Sequence, residues 1–156
     1  HFNRTLGPLE WTQDNVSCSE KGTVRGLHFQ WPKPQGKLVT VMSGKIFDVA
    51  VDIRVGSPSF GQWVGQILDD RLHQQLWIPS GFAHGFQSLE STTVVHYKCA
   101  ENFWSPNDEQ TIRFNDPSIG ISWPLEVTKV HDRDRCAPTL ETTDILPNYN
   151  KKSSHA

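Results

Sequence analysis

Residues 45–54, KIFDVAVDIR, decide the fold. In an extended chain Phe47, Val49, Val51 and Ile53 share one face, and Asp48 and Asp52 fall on the other in company with Ile46 and Ala50. Period-two alternation of this kind marks a strand, not a helix. Working outward, turn residues recur at short intervals: Gly22, Pro32 to Gly36 and Ser43-Gly44 before this stretch, and Gly56-Ser57-Pro58, Asp69-Asp70, Pro79-Ser80-Gly81, Ser105-Pro106-Asn107 and Asn115-Asp116-Pro117 after it. The intervals read as strands over 23–30, 37–42, 62–68, 75–78, 85–89 and 92–98. No segment before residue 100 carries a sustained 3.6-residue apolar repeat. The C-terminal third, around 125–134, is expected to hold one short helix or simply to wrap the barrel. Short strands with turns about every 8–12 residues predict an all-β sandwich or barrel, here a jelly roll. No internal repeat or linker divides it, so residues 1–150 are expected to form one domain and 151–156 a disordered tail.

The 156 residues include 15 Lys and Arg against 17 Asp and Glu, a formal net charge of −2. That balance excludes a generic binder of nucleic acid or of membrane surfaces, which needs a basic excess. An anionic ligand must therefore be gripped by a local cluster of cations. Cys18, Cys99 and Cys136 are odd in number, widely spaced and without a CxxC pair. They argue against a zinc knuckle or disulfide framework and for reduced thiols in a cytoplasmic protein. No apolar run approaches the ~18–20 residues of a membrane helix, and no signal peptide opens the sequence.

Three clusters could carry chemistry. Arg25-Gly26-Leu27-His28-Phe29-Gln30 places an Arg and a His on an apolar strand, although a lone strand histidine is more often a hydrogen-bonded structural residue. Pro79 to Phe86 delivers His84 from a turn to the start of a strand, as loops do when presenting a group to a cavity. Val94 to Cys99 sets Tyr97 across the pleat from His96 and Lys98, and taken alone Tyr97 reads as a core residue with a satisfied hydroxyl. With Lys37 of QGKLV they offer one cavity a base, a phenolic acid and several cations. One tension stands. Arg25 and His28 are three apart and belong on opposite faces of a regular strand unless a bulge at Gly26 reunites them.

The sequence resembles the dTDP-4-dehydrorhamnose 3,5-epimerases and related deoxysugar enzymes. The likeness rests on QDNVSCS, RGLHFQ, QGKLV, GKIFDVAVDIRVGSPSFGQW, WIPSGFAHGF, YKC and NDPSIGISWP, which occur in this order between about Gln13 and Leu140. It implies a cupin-type double-stranded β-helix, an isomerase that needs no cofactor and no metal, and a nucleotide-diphospho-4-keto-sugar as substrate. It also implies a homodimer paired through its sheets. Residue by residue, it makes His28 the general base, Tyr97 the proton donor and Asp134 the carboxylate paired with the base, with Asp132 as rival. Lys37 and Arg25 would line the sugar and its keto oxygen. His84 matches a substrate-pocket histidine, and Gln13, Asn15 and Glu109 match further ligand contacts, although Asn15 and Glu109 read equally well as turn caps. Phe103-Trp104 offers a stacking surface or, equally, a core or interface pair.

The implied chemistry requires such a set. A 4-ketone acidifies C3 and C5, yet such a carbon acid remains on the order of ten pKa units from a histidine, or roughly 14 kcal/mol. A placed base supplies about 3–5 kcal/mol of this, so a cation at the enolate oxygen must supply most of the rest. Inversion also needs an acid on the opposite ring face. The family's N-terminal D-x-R-G-x-F-x-E pattern, which lends an Arg and an acid, often to the partner's site, is not found in HFNRTLGPLEW. The nucleotide is therefore expected to be gripped differently or by residues outside this sequence. Three rivals remain open: a metal-dependent cupin using His28, His84 and His96, an epimerase or keto-isomerase acting at one carbon, and a non-catalytic sugar-binding jelly roll.

Overall fold

The computed structural model describes residues 8–149. Residues 1–7, and 150–156 with the expected tail, lie outside that range. Among the described residues ten strands and one short helix follow in order: β1 Trp11–Ser19, β2 Thr23–Gln30, β3 Gly36–Ser43, β4 Lys45–Asp52, β5 Trp63–Asp69, β6 Gln75–Ile78, β7 Phe82–Ser88, β8 Thr93–Ala100, β9 Glu109–Thr111, β10 Lys129–Val130 and α1 Asp132–Arg135. One sheet runs β1-β8-β3-β6. The other runs β10-β2-β7-β4-β5, with β9 added to β2. The chain changes sheet at nearly every turn. Gly44, at φ +84°, carries it from β3 in the first sheet to β4 in the second, and a Cβ there would meet Thr93 Oγ1 at 2.9 Å. This alternation between facing sheets is the expected jelly roll. Among the described residues no helix is long and apolar enough to cross a membrane, and all three cysteines are free.

The second sheet is buried on both sides, which reassigns the faces of residues 45–54. Ile46 and Ala50 lie between the sheets with Val39, Val41, Leu68, Ile78, Phe86 and Val95. Val49, Val51 and Ile53, with Phe47 packed against them, join Leu27, Phe29, Ala83, Ile112, Ile119 and Leu140 in a separate cluster. That cluster lies on the outer side of the second sheet, under the C-terminal segment. The more regular apolar stripe therefore meets the wrap, not the opposing sheet. Asp48 and Asp52 are buried too. Asp52 accepts from Arg54 Nε and NH2 at 2.8 and 2.7 Å and from the Ser57 and Ser59 hydroxyls. Although burial opposes ionisation, these donors hold its carboxyl well below the usual range.

The C-terminal third mostly wraps. Its helix is one turn, Asp132–Arg135, at the far end of the expected span. The wrap is tied down by Gln87, fully buried, whose amide both donates to Leu125 O and accepts from Leu125 N at 3.0 Å. β1, unread from the sequence, pairs with β8 along almost its whole length. Its exposed positions are Asp14, Val16 and Cys18, so Gln13, Asn15 and Ser17 turn inward.

Candidate active site

Only one part of the space between the sheets is filled with apolar side chains. The other is a polar cavity of about 370 Å³, lined from the first sheet by Gln13, Asn15, Lys37, Tyr97 and Cys99 and from the second by His28, Gln30 and Glu109. A continuation of about 200 Å³ shares His28, Lys37, Tyr97 and Glu109 and adds Ser17, Arg25, His84, Phe86 and Arg133. All nine site residues expected on the cavity are thus accounted for: eight line it, and Asp134 stands behind His28.

The bulge at Gly26 is real. Arg25 pairs with Phe86 and His28 with His84, so β2 spends three residues where β7 spends two. Gly26 has φ +123°, and a Cβ would lie 2.6 Å from Gly85 Cα and 2.7 Å from His84 O. Only glycine fits such a conformation and approach. The bulge turns Arg25 and His28 toward the same cavity. Arg25 is steadied by Ser19 Oγ at 2.9 Å and Cys18 O at 3.1 Å.

Asp134, not Asp132, pairs with His28. Its Oδ1 lies 2.7 Å from His28 Nε2, and Oδ2 accepts from Gly26 N–H at 3.1 Å, so one buried carboxylate holds both the ring and the bulge. With Nε2–H donated to Asp134, the lone pair of the neutral ring falls on Nδ1. Burial lowers the His28 pKa. Asp134 opposes this, while Lys37 and Arg133 reinforce it, and the imidazole stays neutral at neutral pH. Burial of Asp134 works against its ionisation, but the His28 hydrogen bond and charge outweigh it and keep the carboxyl below its ordinary value.

Lys37 points across β3 toward the carbonyl of His28, with Nζ 3.4 Å from that oxygen. Burial lowers its pKa, against the pull of Cys99, Glu109 and Asp48. Among the described residues no carboxylate comes within ion-pair distance of it. Burial raises the Tyr97 pKa, with help from Cys99 and Glu109 and against Arg25 and Arg133, so the phenol keeps its proton. Gln13 Nε2 donates to Asn15 Oδ1 at 2.8 Å, and Asn15 Nδ2 approaches Cys99 Sγ at 3.7 Å. Of the aromatic pair, Trp104 lines the cavity while Phe103 points to solvent.

The three histidines of the metal reading do not converge. His28 is held by Asp134, and His84 by Asp48 at 2.7 Å. His96 faces the outside of the first sheet, 2.9 Å from Asp14. Among the described residues no cluster of His, Cys, Asp and Glu is arranged to hold a metal ion.

A sequence model of dTDP-4-dehydrorhamnose 3,5-epimerase matches residues 1–142. The chain belongs to this epimerase family. A Neisseria gonorrhoeae enzyme of that name is 50% identical over 144 residues, covering 92% of this chain; the chain spans 41% of that relative's length. A Legionella pneumophila dTDP-6-deoxy-D-glucose-3,5-epimerase, solved with dTDP-4-keto-L-rhamnose, superposes with a TM-score of 0.91 at 46% identity, over 96% of this chain and 81% of that one. A Streptomyces bikiniensis 3'-monoepimerase with dTDP-quinovose superposes at 0.89 with 33% identity, over 95% and 77%. Members of the family are isomerases with the cupin-type fold.

Arg133, Cys99, Gln30 and Asp48 also meet the cavity or its histidines and were not singled out from sequence. Arg133 stands beside Asp134 in HDRDR, and adjacency to a paired carboxylate was the available signal. Nothing in KIFDVAVDIR distinguishes Asp48 from Asp52.

Proposed function

We propose that this chain inverts C3 and C5 of a dTDP-linked 4-keto-6-deoxyhexose, the dTDP-4-dehydro-6-deoxyglucose to dTDP-4-dehydrorhamnose reaction. The observation that carries the reading is that His28 and Tyr97 approach one cavity from facing sheets. A sugar ring between them meets a base on one face and an acid on the other. His28 Nδ1 takes the proton from the carbon beside the ketone, and the C–H electron pair moves to the carbonyl oxygen as an enolate. The Lys37 ammonium, with no carboxylate within ion-pair distance among the described residues, supplies the facing positive charge. Tyr97 then gives its phenolic proton to the opposite face of the carbon, and the pair returns from oxygen. Asp134 keeps Nε2 protonated and stabilises the imidazolium as it forms. No electron leaves the sugar, so the reaction needs no redox cofactor.

Arg25, Gln13, Asn15, His84 and Glu109 are proposed to position the nucleotide sugar, with Trp104 as a stacking surface at the mouth. The free thiols fit a cytoplasmic protein, and a homodimer is the expected assembly. Incubating the protein with the dTDP-4-keto sugar in D₂O tests the reading. Deuterium entering at both C3 and C5 supports it. Incorporation at one carbon makes the chain a mono-epimerase, and none rejects epimerisation.

A further inference from the structure

Arg133 has no part in the proton transfers above, yet it is closely constrained at the cavity mouth. Its NH1 donates to Glu109 Oε2 at 2.8 Å, its NH2 stands 3.2 Å from His28 Nε2, and its Nε lies 3.6 Å from Asp134 Oδ1. The start of α1 fixes where the side chain emerges, because the N-cap His131 Nδ1 accepts from Arg133 N–H at 3.2 Å. His28 Nε2 is committed as a donor to Asp134, so it has no lone pair for the guanidinium. What Arg133 contributes there is charge: a full positive charge beside the ring that must itself become positive on protonation.

We propose that Arg133, moored by Glu109, is a positioning residue whose charge beside Nε2 adds to burial in disfavouring protonation of His28 before substrate binds. Its catalytic meaning rests on the epimerase reading, since a base that arrives already protonated cannot begin the reaction. The other groups facing His28 are Asp134 from α1, Lys37 from β3, Tyr97 from β8, His84 from β7, Glu109 from β9 and Arg25 from its own strand. Burial is the largest influence against the imidazolium; of these groups Asp134 favours it, while Lys37 and Arg133 add to burial against it. Lys37 is set inside the cavity by β3. Arg133 is half exposed and held by a close ion pair to Glu109 and a longer one to Asp134, so it is the cation whose influence depends on a mooring. Glu109 thereby acquires a second duty: its carboxylate places the guanidinium beside Nε2 of the ring.

The test is an NMR titration of His28 in substrate-free protein, with its ring signals identified by their loss in His28→Asn. Arg133→Gln is expected to move the His28 midpoint up by about half a pH unit or more, a partly screened charge effect. Arg133→Lys is expected to hold it near the native position. Glu109→Gln, by releasing the guanidinium, moves it up by less. The acid limb of kcat/KM follows the same order. An unchanged midpoint in Arg133→Gln overturns the proposal. So does a downward move in Glu109→Gln, the sign expected if Glu109 acted only as a nearby negative charge. Should Arg133→Gln fail to fold, the Arg133→Lys and Glu109→Gln midpoints decide the matter alone. Absence of deuterium incorporation by the native protein would reject the epimerase reading and leave the titration result intact.

Discussion

Two histidine–carboxylate pairs meet this cavity, and they are built differently. His28 and His84 are register partners on adjacent strands, and each holds an aspartate through Nε2 at 2.7 Å. The carboxylate of His84 comes from β4, the strand next to its own, and Asp48 is completely buried, with Oδ2 lacking any partner among the described residues. The carboxylate of His28 comes from a one-turn helix 106 positions away and divides its oxygens between the ring and the Gly26 bulge. Strand register fixes the first pair rigidly. The second is assembled across the wrap, with Arg133 and Lys37 beside it, where burial and neighbouring charges together bias its protonation. The difference teaches that identical hydrogen bonds serve different ends according to what surrounds them.

The comparison breaks most readily at the base itself. His28→Asn is expected to slow deuterium wash-in by roughly 10³-fold or more; if wash-in persisted at the native rate, His84 would be the base. Asp134→Asn should lose about 10²–10⁴-fold through the wrong tautomer and an unsupported imidazolium. Asp48→Asn should keep exchange within about tenfold and instead lower stability to urea by about 1–3 kcal/mol. Equal kinetic losses at the two aspartates would erase the distinction. Tyr97→Phe is expected to cut formation of inverted product about 10²-fold while leaving wash-in by His28 measurable, and an unchanged product rate would remove Tyr97 from the acid role. Gly26→Ala, which forces a Cβ against Gly85 and His84, should cost about 1–3 kcal/mol in urea melts. The smallest effect is in pH. His28 sits below its ordinary 6.5, so the base survives acidification further than a free histidine, and the acid limb of kcat/KM falls below pH 6.5. Tyr97 is raised above 10, so its deprotonation produces no alkaline loss near neutrality.

How far the sequence was legible depended on what each strand faces. The alternation over 45–54 identified a strand correctly, but periodicity alone does not say which apolar face meets a sheet and which meets a wrap. β1 escaped because its inward residues, Gln13, Asn15 and Ser17, line a polar cavity; without a buried apolar face, period-two patterning disappears. The Gly26 bulge was deducible, since two functional residues three apart demand an extra residue between faces. The motif-borne residues His28, Lys37, Tyr97 and His84 line the cavity for the same reason that they could be picked out: polar groups set into apolar strands. Arg133 was not, because an exposed arginine in a charged run looks like any solvated side chain until the fold brings it beside His28.

The origin of Asp134 in the C-terminal wrap has a temporal consequence. A ribosome making this chain releases both sheets, with His28 and Tyr97 in place, before the carboxylate that fixes the tautomer of His28 has emerged. Contacts so distant in sequence close late in folding. The enzyme therefore gains its paired base as one of its last acts of assembly, and a chain interrupted between β9 and Asp134 would carry His28 without the carboxylate that fixes its tautomer. Competence for proton transfer waits on the arrival of the wrap.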